Sequence, residues 1–234
     1  MDFKNRTVML TGAAGNLGRA VAATFAAAGA RLVLVDVDRA RLEQAFGGDS
    51  EQRLLAPANL LDRDQVAAVV AQAQGRFGRI DVLCNLAGGF RMGSPLHQTS
   101  DDDWNFLFDL NARSILNMVR AVVPGMTEAG SGKIVNVAAY AALKGTTRMG
   151  AYCASKDVVI RMTETMAAEL RDAGINVNCV LPTIIDTPEN RAAMPDADAG
   201  RWVQPEALAE VIAFLASDQA RAVHGAALPV TGLS

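Results

Sequence analysis

Histidine is nearly missing from this sequence: His97 and His224 are the two among 234 residues, and neither has a partner at the spacing of a metal ligand or a hydrolytic triad. The three cysteines, Cys84, Cys153 and Cys179, are odd in number, far apart and set in apolar surroundings. They read as small buried hydrophobes of a reducing compartment rather than as a disulfide or redox pair, and no metal site is expected. No charge of one sign dominates, because the net charge is -3 with acids and bases interspersed. A basic face for nucleic acid or an anionic membrane is therefore absent. Long hydrophobic runs are lacking as well. The apolar run in MDFKNRTVMLTGAAG is too short for the core of a signal peptide, and no later one approaches the roughly 20 residues a membrane span needs. What remains is the expectation of a cytoplasmic protein with a small-molecule substrate, no nucleic-acid partner and no membrane.

Half of the residues are apolar, enough to fill one substantial core, so residues 1–234 are expected to form a single domain. Short runs rich in β-branched residues and leucine alternate with longer segments of helical period. That alternation predicts an α/β fold, a Rossmann-type, doubly wound parallel seven-stranded sheet with helices on both faces. The strands are read at Thr7 to Thr11, Arg31 to Asp36, Arg53 to Ala56, Ile80 to Asn85, Lys133 to Ala138, Asn176 to Leu181 and Ala226 to Val230. Six helices fit between them. Among these are Asn16 to Ala28, Asp62 to Phe77 and Gly150 to Ala173, each followed by glycine, and one long helix from Asp101 whose three aspartates suit the first turn. Residues 183–204 break the period with prolines and charges, as a substrate-binding lid loop would.

Strand, then TGAAGNLG, then helix is an arrangement that points backbone N–H groups and a helix N-terminus at a phosphate. Gly12, Gly15 and Gly18 supply the turn and the close approach, although tight strand-to-helix turns also need glycine for steric reasons alone. The next strand ends in Asp36, eighteen residues after Gly18. A carboxylate there can accept both hydroxyls of an adenine ribose and repels a 2'-phosphate, which favours NAD (NADH) over NADP; the alternative is that Asp36 merely caps the following helix. Arg39 and Arg41 leave room for NADP as the less favoured cofactor. Further on, Tyr152 and Lys156 are four apart on a helix and share a face. An adjacent ammonium and an oxidised nicotinamide ring both stabilise phenolate, suiting a phenol for acid–base work.

Taken together, these motifs resemble the short-chain dehydrogenase/reductase family from Thr7 to about Gly232. The glycine motif matches at Thr11 to Gly18, with Asn16 where the commonest form has glycine. NLAG at Asn85 to Gly88 resembles the family's Asn-Asn-Ala-Gly, Asn59 followed by Leu60 matches the aspartate near the adenine, and NCVLPTIIDTP resembles the Pro-Gly segment with Thr183 replacing glycine. The resemblance implies a cofactor site of Gly12, Gly15, Asn16, Leu17, Gly18, Asp36, Asn59, Leu60, Asn85, Ala87 and Gly88, with Tyr152 and Lys156. Pro182, Ile185 and Thr187 would line the nicotinamide side. It also implies that Tyr152 exchanges a proton with the substrate, that Lys156 binds the nicotinamide ribose, and that Asn111 holds a relay water.

The family's catalytic serine falls at Ala139, which has no hydroxyl, so Ala139, Tyr152 and Thr183 are expected to face the substrate. Three stretches, CNLAGGF, AALKGTTRMGAYCASK and LPTIIDTPENRAAMPDAD, are similar to the dihydropteridine reductase branch, which also lacks that serine. That similarity implies a dihydropteridine-like C=N substrate. The alternatives are a carbonyl or alcohol enzyme of 3-oxoacyl reductase type working without the serine, and a non-catalytic NAD(H)-binding sensor or subunit. The family's subunit contacts imply a homotetramer, with a dimer as the fallback.

Overall fold

Along the first strand, β1 (Thr7–Thr11), Val8 and Leu10 pack into one apolar cluster and Met9 into another. Alternation of this kind, with every residue of the strand buried, is what a sheet covered on both faces requires. The computed structural model describes residues 1–234. It adds β2 (Arg31–Asp36), β3 (Arg53–Pro57), β4 (Val82–Asn85), β5 (Gly132–Val137), β6 (Ile175–Pro182) and β7 (Ala227–Val230). All seven strands pair in parallel, in the order β3-β2-β1-β4-β5-β6-β7.

The helices are α1 (Asn16–Ala27), α2 (Arg39–Phe46), α3 (Arg63–Phe77), α4 (Asp101–Phe108), α5 (Ser114–Glu128), α6 (Gly150–Leu170), α7 (Pro188–Ala193) and α8 (Pro205–Ala216). Phe25 of α1, Leu42 of α2 and Ile212 of α8 cover one face of the sheet, and Val66 of α3, Met118 of α5 and Ile160 of α6 cover the other. Chain order reverses where β1 pairs with both β2 and β4, and at such a switch point the carboxyl ends of the strands leave a crevice. Thr11 and Asn85 end the two strands on either side of it.

All seven expected strands form. The largest departure is in the helix expected to run on from Asp101. Ser100 caps it by accepting from the Asp103 N–H, and the three aspartates occupy its first turn as read. At Asp109–Arg113, however, the helix widens into a π-helical turn before α5 begins. An extra residue in that turn re-aims Asn111, whose carboxamide exchanges two hydrogen bonds with the Gly89 backbone. A 3.6-residue period carries no trace of such a contact.

The second departure is in residues 183–204, which are more ordered than a loop. Asp186 N–H donates to Val203 O, Val203 N–H donates to Ile184 O, and α7 and a short 3-10 turn at Ala199–Arg201 lie between. Arg191 forks onto Asp186 at 2.6 and 2.7 Å. That guanidinium holds the Asp186 carboxyl down at about 2.

Candidate active site

Gly12 leaves β1 with φ +64°, and a Cβ on it would stand 2.9 Å from the backbone of Ala87. Gly18 is tighter, because its Cβ would meet Gly12 O at 2.3 Å and Ala13 O at 2.5 Å. These contacts are with backbone, which cannot swing aside. Gly18→Ala is accordingly expected to lose about 2–3 kcal/mol of stability by overpacking, read as a lower thermal midpoint. Between the two glycines, Gly15 is the N-cap of α1 and no side chain caps the helix. The first-turn N–H groups of Asn16, Leu17 and Gly18 thus have no intrahelical acceptor and face the crevice with the positive end of the helix dipole. A cradle of this size with unclaimed donors fits a diphosphate.

Asp36 ends β2 beside that turn. Its carboxylate accepts from the Ala14 N–H at 3.1 Å and the Val37 N–H at 2.9 Å, with Arg41 3.6 Å away. The helix-capping alternative fails, since Asp38 caps α2 by accepting from the Ala40 N–H. Arg39 is occupied with Glu43 and Asp49. At the neighbouring strand end the Asn59 carboxamide accepts from the Leu61 N–H, and Leu60 O accepts from Asn117.

On the other side of the crevice, the Thr11 hydroxyl accepts from the N–H groups of Leu86 and Ala87, tying the segment after β4 to β1. Asn85 donates to Asn136 of β5, Asn136 donates to Thr163 of α6, and Asn85 Oδ1 is left buried without a partner. Gly88 is the meeting point of three elements: a Cβ there would lie 3.0 Å from both Asn111 Oδ1 and Lys156 Nζ. Asn111 also donates to Ser155, whose hydroxyl donates to Tyr152 O. Lys156 donates to Val137 O at 2.9 Å and is almost fully buried. Tyr152 stands half-buried, its ring edge-on to Phe90 at 4.9 Å between centroids. Burial dominates both groups: it pushes the Tyr152 phenol up to about 12 and lowers the Lys156 ammonium to about 8.

This constellation on this fold has known counterparts. A family profile described as "Enoyl-(Acyl carrier protein) reductase" matches residues 12–232. The 3-oxoacyl-[acyl-carrier-protein] reductase of Thermotoga maritima is 34% identical, with 99% of this chain and 98% of that protein aligned. The chain belongs to the short-chain dehydrogenase/reductase family. D-threitol dehydrogenase of Mycolicibacterium smegmatis is also 34% identical, over 99% of this chain and 94% of that one. Among solved structures, a short-chain dehydrogenase/reductase from Brucella melitensis superimposes with a TM-score of 0.90 at 34% identity, covering 99% of this chain and 98% of that one. A 3-ketoacyl-(acyl-carrier-protein) reductase from the same organism, complexed with NADH, gives 0.87 at 30% identity, with 98% of each chain covered. The chain is therefore an oxidoreductase of this family, which sets aside the non-catalytic sensor.

Measured against the family pattern, the site has one gap. Ala139 is buried in extended backbone just past β5, and a methyl group stands where the serine would be. Thr146 and Thr147 are exposed in the loop before α6. Thr183 does not fill the gap, because its hydroxyl donates to Thr231 O at 3.0 Å and pairs with Ser234 at 2.8 Å. Past buried Pro182, Ile185 packs against the core and Thr187 caps α7 by accepting from the Asn190 N–H. Sequence reading missed Thr11, Asn136, Ser155, Phe90 and Glu189. Thr11 and Ser155 stand inside the very motifs quoted, so attention to their hydroxyls was the available signal. Asn136 and Glu189 carry none, since their partners Asn85 and Asn16 are distant in the chain.

Proposed function

We propose that the chain transfers hydride between NAD(H) and a small substrate, with a conjugated C=N compound of dihydropteridine type as the substrate the site fits best. The observation that carries this reading is Ala139: the developing negative charge of a ketone reduction lacks the hydroxyl that usually meets it. A conjugated C=N system spreads that charge over its own ring and needs a single proton at nitrogen. Phe90, 55% exposed and edge-on to Tyr152, offers a flat apolar surface beside the phenol, which suits a planar substrate.

The cradle of Gly12 to Gly18, the Asp36 carboxylate and the Asn85 to Gly88 segment fit a nicotinamide dinucleotide, and the NADH complex of the Brucella melitensis relative supports the choice. When bound, that cofactor supplies or accepts the hydride. Asp36 favours the unphosphorylated ribose and so NAD over NADP. Leu17, Asn59 and Leu60 border the adenosine half, and Pro182, Ile185 and Thr187 the nicotinamide half. Tyr152 delivers the proton from its hydroxyl to the substrate nitrogen. Lys156 holds positive charge beneath that hydroxyl and orients the ribose, and Asn111, fixed by Gly89 and Ser155, positions the route by which Tyr152 is reprotonated.

A second reading is reduction of a carbonyl or oxidation of an alcohol. The names of the relatives favour it, and the dihydropteridine reading draws no support from them. The two separate experimentally. NADH oxidation is followed with quinonoid dihydropterin, correcting for the non-enzymatic rate, and with a panel of small ketones. Restoring the hydroxyl by Ala139→Ser is expected to raise ketone turnover about 10- to 100-fold and dihydropterin turnover far less. Turnover of ketones alone by the unaltered protein would overturn the C=N assignment.

The outward side of α5 and α6 carries an apolar groove with Leu116, Val123, Met162 and Met166 at its walls. That groove supports the homotetramer or, failing it, a dimer, and light scattering on the eluted protein measures which.

A further inference from the structure

Asn16 stands at the first position of α1, where the commonest family motif has glycine, and its side chain is engaged across the crevice. Its Nδ2 donates to Glu189 Oε2 of α7 at 2.6 Å, while Arg19 donates to Asn16 Oδ1 at 2.6 Å. The Glu189 carboxyl is lowered first by its own backbone N–H at the start of α7, then by Thr187 and Asn16, with Arg19 nearby. Asn16 is thus a neutral relay between a cation on α1 and an anion on α7, and it joins two segments 173 residues apart. The far side of the segment is already fixed: Asp186 accepts from Arg191 and Gln204, and Asp186 and Val203 are linked through the backbone. One anchor thus ties the two ends of the segment to each other, and the other ties the segment to the glycine turn that cradles the diphosphate.

We propose that Arg19, Asn16 and Glu189 form a clasp that closes residues 183–204 over the bound dinucleotide and sets the rate at which it leaves. The inference rests on the NAD(H) reading above. Opening the clasp must precede cofactor exchange, since Asn16 belongs to the turn that cradles the diphosphate and Glu189 to the segment above it. A glycine at position 16 retains the backbone donors and loses the clasp.

The test uses the whole protein with Asn16→Gly, Glu189→Ala and the double variant. NADH release is measured by stopped-flow fluorescence on displacement with excess NAD, and amide hydrogen exchange of residues 188–194 is measured without cofactor. Each single variant is expected to speed release about fivefold, as loss of an exposed charge-assisted hydrogen bond would, and the double variant no more than either single. Exchange at 188–194 is expected to quicken in parallel, and Glu189→Gln, which keeps the acceptor, to fall between. Unchanged exchange in Asn16→Gly would overturn the clasp, as would multiplying effects in the double variant. Slower release from Glu189→Ala would also overturn it, since the carboxylate would then be repelling the diphosphate rather than holding the lid. If the unaltered protein binds no NADH while exchange still responds, the cofactor reading is at fault and the release claim falls with it.

Discussion

Tyr152→Phe is expected to lower NADH-dependent turnover by about 10²- to 10⁴-fold, the range that one positioned proton donor contributes. The substitution removes an oxygen and leaves the ring, so the edge-to-face contact with Phe90 persists and no cavity opens. Thermal stability and NADH affinity should remain near those of the unaltered protein, and steady-state kinetics beside a denaturation curve check all three. If turnover survives the change, the proton comes from solvent and Tyr152 is not the donor. The pH profile carries a second signature. Burial pushes the phenol up to about 12, so below that value Tyr152 is a protonated donor in the resting chain. Activity limited by its deprotonation in the reverse, substrate-oxidising direction should therefore rise with pH further into the alkaline range than the reducing direction does.

Lys156→Met is expected to cut turnover about 100-fold or more while making the protein more stable at neutral pH. The ammonium is buried with a backbone carbonyl and no carboxylate as its hydrogen-bond acceptor, and burial lowers it from 10.5 to about 8. The sign follows from proton counting. Below pH 8 the folded and unfolded chains are both protonated, and the full desolvation penalty opposes folding. Between about 8 and 10.5 the unfolded chain binds more protons, so stability climbs with pH. Tyr152 acts oppositely at higher pH: its folded value lies above the unfolded 10, so its contribution is complete below 10 and is lost as pH rises through 12. The unaltered protein should thus gain stability from pH 8 toward 10 and lose it above. Methionine removes the first limb. The gain at pH 7 should be about 1–3 kcal/mol, shrinking above pH 10, as denaturant titrations at several pH values would show.

The reading of those two residues drew on the nucleotide-end motifs as well as on their spacing, whereas the sheet was legible by itself, because parallel strands buried on both faces leave continuous apolar runs between helices. Asp36 was legible in position, but setting aside its reading as a helix cap needed the Asp38 bond to Ala40. The chain's departures from the family proved more informative than its agreements. Asn16 reads in sequence as a blemish in a glycine motif, and in three dimensions it bridges two segments. Thr183 reads as a substrate-facing residue in place of a glycine, yet its hydroxyl turns to Thr231 and Ser234. In each case the deciding partner lies tens of residues away in the chain, beyond the reach of any local pattern. The π-helical turn at Asp109–Arg113 escaped for the same reason, since the Asn111 side chain within it is bonded to the Gly89 backbone.

The same long-range bonds bear on how the chain acquires its activity. Thr11 reaches Leu86 across 75 positions, Asn111 reaches Ser155 across 44 and Asn85 reaches Asn136 across 51. Every one of these crosses from one strand end or helix to another, so the complete site exists only once the chain through α6 is present. A nascent polypeptide remains inert until the ribosome has released α6 and the strand that follows it. Loop closure over such separations is slow, and the parallel pairing of β1 with β4 has to wait for the intervening β2, β3 and α3 to be made. Catalytic turnover therefore reports completion of folding more stringently than helix content does, and recovered activity should be the last signal to return on refolding.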